Sequence, residues 1–178
     1  AQNIPAIRGS LREPGAVVGA LNDFDAVVHS AMEWSPEAGA VDRAFVGAVV
    51  AALYGTKKAF LYTSGCWLMG DTKGRIAGEM FPIKPPAFAA WRPPVEQIVQ
   101  DTTDRQMRGI VIRPVMVYGR KAGLIGAFVS GKMPFVGDGS NHWSFVHVDD
   151  LGDLYALAVE KAPAGSLYLA AAGKALTV

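Results

Sequence analysis

The sequence has little cysteine and little net charge. Cys66 is the single cysteine of the 178 residues, so no disulfide can form within them, and we expect a cytoplasmic protein. Lys and Arg number 17 against 16 Asp and Glu, which gives a formal net charge of +1. Such a balance provides no concentrated field for nucleic acid or an anionic membrane, and neither is expected as a partner.

Long hydrophobic runs and metal-ligand clusters are also missing. No apolar stretch approaches the roughly 20 residues of a membrane span. The first residues, AQNIPAIRGS, lack the pattern of a signal peptide. No His, Cys and Asp residues have metal-ligand spacing, so no metal is expected. Hydrophobic residues nevertheless make up 51% of the sequence, which favours one folded domain with a real core.

Short apolar runs alternate with longer helical segments. The runs predict strands at Ile4–Ser10, Phe24–Ala31, Lys57–Ser64, Trp143–Val148 and, as the last strand, Gly165–Ala171. Gly109–Gly119 is predicted as a strand running into a loop, with the strand over Ile110–Arg113. Helices are predicted at Arg12–Asp23, Ser35–Thr56, Pro93–Arg105, Ala122–Lys132 and Asp149–Ala162. This alternation with short connections predicts a parallel sheet with helices on both faces, in which the second, third and fourth strands along the chain are adjacent in that order.

Several residues mark the expected helix ends. Ser35 is the predicted N-cap of its helix and Gly55 the stop signal. Asp149 or Asp150 is the predicted cap of the later helix, and His147 before it is interpreted as a structural, hydrogen-bonding histidine.

Ligands of open parallel sheets bind where the strands end. Small or polar residues end four of the predicted strands: Gly9 and Ser10, His29 and Ser30, Thr63 and Ser64, Arg113 and Pro114. We therefore predict that Thr63 and Ser64 open into the same crevice as His29, Ser30 and Pro114.

Five segments carry a resemblance to a known family. In chain order they are IRGSLREP, DAVVHSAM, FLYTSGCWLMGD, IRPVMVYG and FVHVDDLGDLYALAVE. Together they resemble the short-chain dehydrogenase/reductase superfamily in its extended NAD-dependent epimerase/dehydratase branch. The resemblance implies a Rossmann-like, doubly wound α/β fold over a single domain, 1–178. It also implies the start of a small substrate-binding part near 133–146 and 164–178.

The resemblance also implies site residues and a cofactor, NAD or NADP. Ser64 stands at the active-site serine, with Arg92 and Tyr118 as the other candidate catalytic residues. The implied cofactor-binding residues are Gly9, Ser10, Leu11, His29, Ser30, Ala31, Thr63, Arg92, Pro114 and Val117. The implied substrate-binding residues are Trp67, Met116, His142 and Trp143.

The glycine-rich turn that holds the dinucleotide pyrophosphate is absent, because the sequence starts where the third strand of the family would be. We therefore expect weak NAD(P) binding by these residues alone. The chain is either truncated, partly unrecorded or naturally shortened. Without the first βαβ unit of the family, the sheet would have a gap between its first two predicted strands, Ile4–Ser10 and Phe24–Ala31. Unrecorded strands could fill the gap, a partner chain could fill it, or the first predicted strand could move beside the second. We favour unrecorded strands.

The acid/base pair of the family is missing too. Aligning Glu96 and Gln97 with the usual Glu-Gln puts Phe88 at the tyrosine and Arg92 at the lysine of Tyr-x-x-x-Lys. Phenylalanine has no proton to transfer, whereas arginine keeps a positive charge. The alternative is a misaligned loop, with Tyr62, Tyr118 or a tyrosine outside this chain handling the proton. The proline pair at 93–94 is expected to keep this region from forming a regular helix.

The residues before the FVHV segment bear on the substrate. Nucleotide-sugar epimerases resemble one another in an arginine there that binds the diphosphate, whereas this chain has Trp143 and Ser144. A tryptophan covers an apolar ligand instead. The resemblance thus implies an NAD(P)-dependent oxidoreductase or epimerase/dehydratase-like protein for a small, largely uncharged substrate. A non-catalytic dinucleotide-binding or sensor protein, and an assembly component completed by another chain, are the alternatives. A homodimer stays open beside a monomer.

Overall fold

The computed structural model describes residues 4–120, 126, 130–131 and 138–177. Its helices are α1 (Gly15–Ala20), α2 (Ala38–Leu53), α3 (Arg92–Gln100) and α4 (Val148–Lys161). The strands are β1 (Ala26–His29), β2 (Ala59–Thr63), β3 (Arg108–Pro114), β4 (Met116–Gly119), β5 (His142–His147), β6 (Ser166–Ala170) and β7 (Ala172–Thr177). None of the helices in these ranges is both long and apolar enough to cross a lipid bilayer.

The main sheet is parallel, with strand order β1-β2-β3-β6. Val28 pairs with Leu61, and Leu61 pairs with Ile110. The predicted order of the three central strands is therefore confirmed, as is the α/β fold class. Consecutive strands joined by helices have to pair in this way when each connection crosses over with the usual hand.

Both faces of the main sheet are covered, because alternate residues of a strand point to opposite sides. Phe60 and Tyr62 of β2 pack with the apolar faces of α2 and α3. Ala59 and Leu61 pack instead with α4. On the first face a buried ion pair joins α3 to β3, since the Arg113 Nε lies 2.9 Å from the Glu96 Oε1. The main sheet is therefore held between two hydrophobic cores.

A second, three-stranded sheet has the order β4-β5-β7. In it β4 is parallel to β5, and β5 is antiparallel to β7. The segment Gly109–Gly119, predicted as a strand running into a loop, thus contains two strands in different sheets, because β4 takes the place of the loop. Gly165–Ala171 is not the last strand, because β7 follows it. The division into a Rossmann-like part and a small substrate-binding part stays a prediction, and 132–137 lies outside the described residues.

The predicted first strand is wrong. Residues Ile4–Ser10 form no strand, and only an isolated bridge between Ser10 and Glu13 occurs at their end. A strand needs a ladder partner, and within the described ranges these residues have none. Residues 4–10 do not pair with β1, so the outer edge of β1 has no described neighbour. The Val28 side chain of β1 is also half-exposed.

Two helix starts also differ from the predictions. α2 begins at Ala38 with Glu37 as its N-cap, while the Ser35 Oγ accepts a hydrogen bond from the Glu37 N–H. α4 is capped by the imidazole of His147, whose Nδ1 accepts from the Asp149 N–H at 3.2 Å. The predicted caps, Asp149 and Asp150, lie instead in the first turn, where they complement the helix dipole.

Other helix predictions have mixed outcomes. The stop at Gly55 is confirmed, because α2 ends at Leu53 and Gly55 adopts φ +75°. The stretch before the proline pair forms no regular α-helix, as expected, because Ala87–Ala89 form only a 3-10 turn. The predicted helix begins instead at Arg92, with both prolines in its first turn, where no N–H has a helical partner. The predicted helix Ala122–Lys132 lies outside the described residues except at 126, 130 and 131.

Candidate functional site

A cavity of about 560 Å³ lies at the carboxyl ends of β1 and β2. Its walls come from the segment after β1, the first turn of α2, the turn after β2 and the residues that lead into α3. The lining residues are Met32, Glu33, Trp34, Ser35, Pro36, Ala38, Gly39, Ser64, Gly65, Trp67, Leu68, Ala87, Phe88, Ala89, Trp91 and Arg92. Its volume is within the usual range for small-molecule sites.

Ser64 is the polar residue at the end of β2. Its backbone N–H continues the sheet by donating to the Ile112 carbonyl at 2.8 Å, which fixes the residue in place. The side chain is 8% exposed, and its Oγ has no hydrogen-bond partner among the described residues. A buried hydroxyl left unpaired costs about 1–3 kcal/mol. A ligand oxygen in the cavity would remove that cost.

Thr63, the residue before, points to the other face of the sheet. Its Oγ1 lies 2.5 Å from the hydroxyl oxygen of Tyr155 in α4. Burial raises the pKa of the Tyr155 phenol, and the hydrogen bond with Thr63 partly opposes that shift. The two adjacent hydroxyls thus have different surroundings: that of Thr63 is bonded to α4, whereas that of Ser64, a residue of the cavity lining, is buried without a described partner.

Arg92 is the first residue of α3 and brings a positive charge to the cavity wall. Its Nη1 donates to the Thr63 carbonyl at 3.2 Å and to the Tyr62 hydroxyl at 3.3 Å. Its Nη2 lies 3.0 Å from the Met32 sulfur, and its Cζ lies 4.5 Å from the centre of the Trp91 ring. The guanidinium is therefore fixed between the ends of β1 and β2.

Behind Arg92 a buried polar network connects the two strand ends. The Tyr62 hydroxyl donates to the Asp42 Oδ2 at 2.6 Å, and the His29 Nε2 lies 2.7 Å from the Asp42 Oδ1. Burial, reinforced by the charge of Asp42 and opposed by Arg92, raises the pKa of the Tyr62 phenol. Tyr62 therefore keeps its proton at neutral pH and serves as a fixed hydrogen-bonding group.

Aromatic rings form much of the cavity wall. The Trp67 ring meets Phe88 edge-to-face at 5.6 Å and Trp143 edge-to-face at 6.0 Å. Trp91 is fixed by a hydrogen bond from its Nε1 to the Phe88 carbonyl at 3.0 Å. It also packs against the backbone of Gly39, where an added Cβ would lie 2.8 Å from the Trp91 Cβ.

At the rim Glu33 supplies the negative charge of the described lining. Its carboxylate accepts hydrogen bonds from the Arg12 guanidinium, one of them 2.9 Å long, and from the Ser35 hydroxyl at 2.5 Å. These bonds, the one from Arg12 above all, hold the pKa of Glu33 below its usual range. No group of three or more His, Cys, Asp or Glu side chains in the described part of the chain is placed to hold a metal ion.

The structure brings together some of the residues predicted for the site. Ser64, Trp67 and Arg92 line the cavity, and Trp143 contacts it through Trp67. Phe88, predicted at the tyrosine position, is also in the wall. Met32, Glu33 and Trp34 were not predicted, although they directly follow a predicted strand end.

The remaining predicted residues lie outside the described lining. Tyr118 lies in β4, with its ring 5.1 Å from that of His147. Arg113 is bonded to Glu96, and the Ser10 Oγ accepts the Arg12 N–H. The other residues outside the lining are Gly9, Leu11, His29, Ser30, Ala31, Thr63, Pro114, Met116, Val117 and His142. Ser30 and Ala31 are exposed just beyond β1.

Comparison with known families identifies the chain's own family. The profile described as "NAD dependent epimerase/dehydratase family" matches residues 2–171. The chain therefore belongs to the NAD-dependent epimerase/dehydratase family, which confirms the resemblance found in its motifs.

Two curated fungal proteins are similar in sequence. Uncharacterized protein YLL056C of Saccharomyces cerevisiae is 27% identical over 176 residues, which cover 91% of this chain and 57% of that protein. Uncharacterized protein C2A9.02 of Schizosaccharomyces pombe is 28% identical over 188 residues, which cover 96% of this chain and 60% of that protein. The chain thus spans less than two thirds of the length of these relatives.

Solved structures share the fold. DesIV, a dTDP-glucose 4,6-dehydratase from Streptomyces venezuelae with NAD and TYD bound, matches with a TM-score of 0.80 at 21% identity, over 95% of this chain and 58% of that one. A UDP-glucose 4-epimerase from Thermus thermophilus in complex with NAD matches with a TM-score of 0.80 at 20% identity, over 99% of this chain and 66% of that one. At these identities the likeness shows the fold alone.

Proposed function

We propose that this chain is part of an NAD(P)-dependent oxidoreductase or epimerase/dehydratase-like enzyme that acts on a small, largely uncharged substrate. The observation that carries this proposal is the buried, unpartnered hydroxyl of Ser64 at an aromatic cavity on the strand ends. Family membership supports the reaction class, and the cavity lining supports the substrate class.

The residues present fit the nicotinamide end of NAD(P). Ser30 and Ala31 are exposed where β1 ends, and Arg92, a cation fixed by the Thr63 carbonyl, lines the same cavity as Ser64. The 178-residue sequence contains no glycine-rich turn for the pyrophosphate, so the family's means of holding that end is not among these residues. NAD(P), when bound, supplies hydride transfer.

The chain's own side chains would bind and orient the substrate. Ser64 would donate its hydroxyl proton to a hydrogen bond with the substrate oxygen, which removes the cost of leaving that hydroxyl unpaired. Arg92, held by Thr63 and Tyr62, would place positive charge near an oxygen that becomes more negative during reduction. The aromatic wall would exclude water from the reacting centre.

A second candidate function is dinucleotide binding or sensing without turnover. It is favoured by Phe88, which lines the cavity at the position predicted for the family's tyrosine and has no proton to transfer. The hydrogen bonds of Arg92 to the protein favour it as well, because they give the guanidinium a structural role in the absence of any ligand.

The test uses the natural full-length protein that contains these residues. NADH and NADPH binding is measured by calorimetry, and hydride transfer is followed by nicotinamide absorbance with a panel of small aldehydes, ketones and secondary alcohols. We expect binding of one cofactor, turnover of an uncharged substrate, and a loss of about tenfold or more in kcat/KM for Ser64→Ala. Ser140→Ala, an exposed serine outside the cavity, is the matched control.

Three outcomes are distinguished. Turnover that depends on Ser64 supports the enzyme. Tight cofactor binding with no turnover across the panel contradicts the enzyme and supports the sensor. Absence of NADH and NADPH binding to the full-length protein contradicts both functions.

A further inference from the structure

Aromatic side chains are concentrated around the cavity. The sequence has four tryptophans, of which Trp34, Trp67 and Trp91 line the cavity and Trp143 contacts Trp67. Trp67 is 44% exposed and Phe88 is 66% exposed, so both rings keep apolar surface in contact with solvent. Burying such surface is favourable by about 25 cal/mol per Å². An occupant with a flat apolar face would recover this free energy.

The rings also have a defined arrangement. Trp67 meets Phe88 at an interplanar angle of 73° and Trp143 at 75°, which holds the indole between two edge-to-face neighbours. Trp91 is held by its own hydrogen bond to the Phe88 carbonyl. Aromatic rings prefer edge-to-face or offset contacts with one another, so a pre-arranged set of rings favours an aromatic ligand over a saturated one of equal size.

The charged side chains of the described lining already have hydrogen-bond partners in the protein. The charged residues of the described lining are Glu33 and Arg92. Glu33 is paired with Arg12, and the Arg92 Nη atoms have Tyr62, Thr63 and Met32 as partners. A phosphate group would compete with these contacts for the Arg92 donors, whereas an uncharged ligand leaves them intact.

One polar atom of the lining residues, the Ser64 Oγ, has no hydrogen-bond partner in the described protein. Among the described buried side chains, only Ser64 has a polar atom without a hydrogen-bond partner, and its residue lines the cavity. One buried donor next to several rings matches a ligand with a single oxygen attached to an aromatic ring.

We propose that the cavity is specific for aromatic carbonyl compounds, whose ring contacts Trp67 and Phe88 while the carbonyl oxygen accepts a hydrogen bond from the Ser64 hydroxyl. This inference rests on the proposed function for the identity of the site and adds the substrate class. Trp67 and Phe88 determine specificity, and Phe88 takes part in substrate recognition at the position predicted for the proton donor.

The experiment compares two ketones of nearly equal size on the natural full-length protein. Acetophenone and cyclohexyl methyl ketone differ only in whether the six-membered ring is aromatic, and ethylbenzene lacks the oxygen. Ligand-observed NMR and tryptophan fluorescence measure binding, and the fluorescence is informative because the four tryptophans of these 178 residues lie at or beside the cavity.

We expect acetophenone to bind about fivefold more tightly than the saturated ketone. Phe88→Leu should reduce this preference to near unity. Ser64→Ala should weaken acetophenone binding about tenfold while leaving ethylbenzene binding unchanged. Tyr54→Leu is the matched control, because Tyr54 is 65% exposed at the C-terminal end of α2, outside the cavity, and its replacement should leave the preference intact.

Equal affinity for the two ketones, or a preference that persists in Phe88→Leu, would overturn the inference. Reduction of aliphatic ketones with NAD(P)H and no aromatic preference would leave the proposed function standing and remove this inference alone. Selective acetophenone binding without any NADH or NADPH binding would support the aromatic specificity of the cavity and contradict the proposed function.

Discussion

The ends of β1 and β2 occupy equivalent places at one edge of the sheet, yet they differ in how their polar groups are satisfied. At the end of β1 the His29 imidazole is buried and bonded to Asp42, which α2 contributes from its interior. After β2 the Ser64 hydroxyl is equally buried and has no partner within the described residues. A strand end becomes a binding site when no neighbouring element supplies the missing partner, because the unpaired group then gains most from a ligand.

Replacing Asp42 should disrupt the β1 end most strongly. Asp42→Ala leaves the His29 imidazole and the Tyr62 hydroxyl buried without their acceptor, so we expect the free energy of unfolding to fall by about 3 kcal/mol or more. Urea denaturation measures the change. Asp71→Ala, which removes an exposed carboxylate paired with Lys73, is the control and should leave the midpoint unchanged. Equal midpoints for the two variants would mean that the network does not stabilise the fold.

A smaller loss is expected for Tyr62→Phe. The ring still fills the core, but Asp42 loses a donor and Arg92 loses one of its acceptors. We expect a decrease of about 1–2 kcal/mol in the free energy of unfolding. Tyr54→Phe, at an exposed position, provides the control and should have no effect. If both variants unfold at the same denaturant concentration, the hydrogen bonds of Tyr62 make no net contribution to the free energy of unfolding.

The adjacent hydroxyls of Thr63 and Ser64 allow the sharpest comparison. Thr63→Val removes the partner of Tyr155 and should cost about 1 kcal/mol. Ser64→Ala removes a hydroxyl that has no described partner, so stability should stay the same or rise by up to about 1–3 kcal/mol. Chemical denaturation of the two variants side by side gives the sign of each change. A clear loss for Ser64→Ala would show that its hydroxyl is already bonded.

The smallest effect at neutral pH concerns Cys66, two residues beyond Ser64. Burial raises the pKa of its thiol from 9.0 to about 11. Below pH 9 the thiol is protonated in both folded and unfolded chains, so it adds no pH dependence. As the pH rises from about 9 towards 11 the unfolded chain loses the proton first, and stability decreases. Alkylation of this single cysteine should follow a pH midpoint near 11 in the folded protein and near 9 in denaturant. Coincident midpoints would contradict a buried thiol.

The central sheet was predictable because its signal is local. Each of β1, β2 and β3 is an apolar run separated from the next by a helix, and crossover geometry then orders them. Ile4–Ser10, the segment wrongly predicted as a strand, has a similar apolar sequence. A strand also needs a neighbouring strand to pair with, and the sequence of one segment does not show whether such a neighbour is present. The division of Gly109–Gly119 is hidden for the same reason, since the chain leaves one sheet for another around Val115, whose N–H donates to the Ala170 carbonyl.

The candidate site was predictable in part. Ser64, Trp67 and Arg92 could be identified from motif position and strand ends. The sequence does not reveal which polar side chains at the strand ends have partners, because those partners come from distant helices. Asp42 of α2 is the partner of the His29 imidazole, and Tyr155 of α4 is the partner of the Thr63 hydroxyl. The cap of α4 was missed for a chemical reason, since carboxylates are far commoner N-caps than imidazoles.

Gly39 has a consequence for ligand size. The indole of Trp91 lies so close to this glycine that an added methyl group would be 2.8 Å from the Trp91 Cβ and Cγ. Because Gly39 and Trp91 both line the cavity, a side chain at position 39 would displace the ring and occupy space beside it. The width available to a substrate is therefore controlled in part by a lining residue that contributes no side chain. Gly39→Ala should thus shift binding from two-ring to one-ring ligands, and unchanged affinity for 2-acetonaphthone would show that the indole has room to move elsewhere.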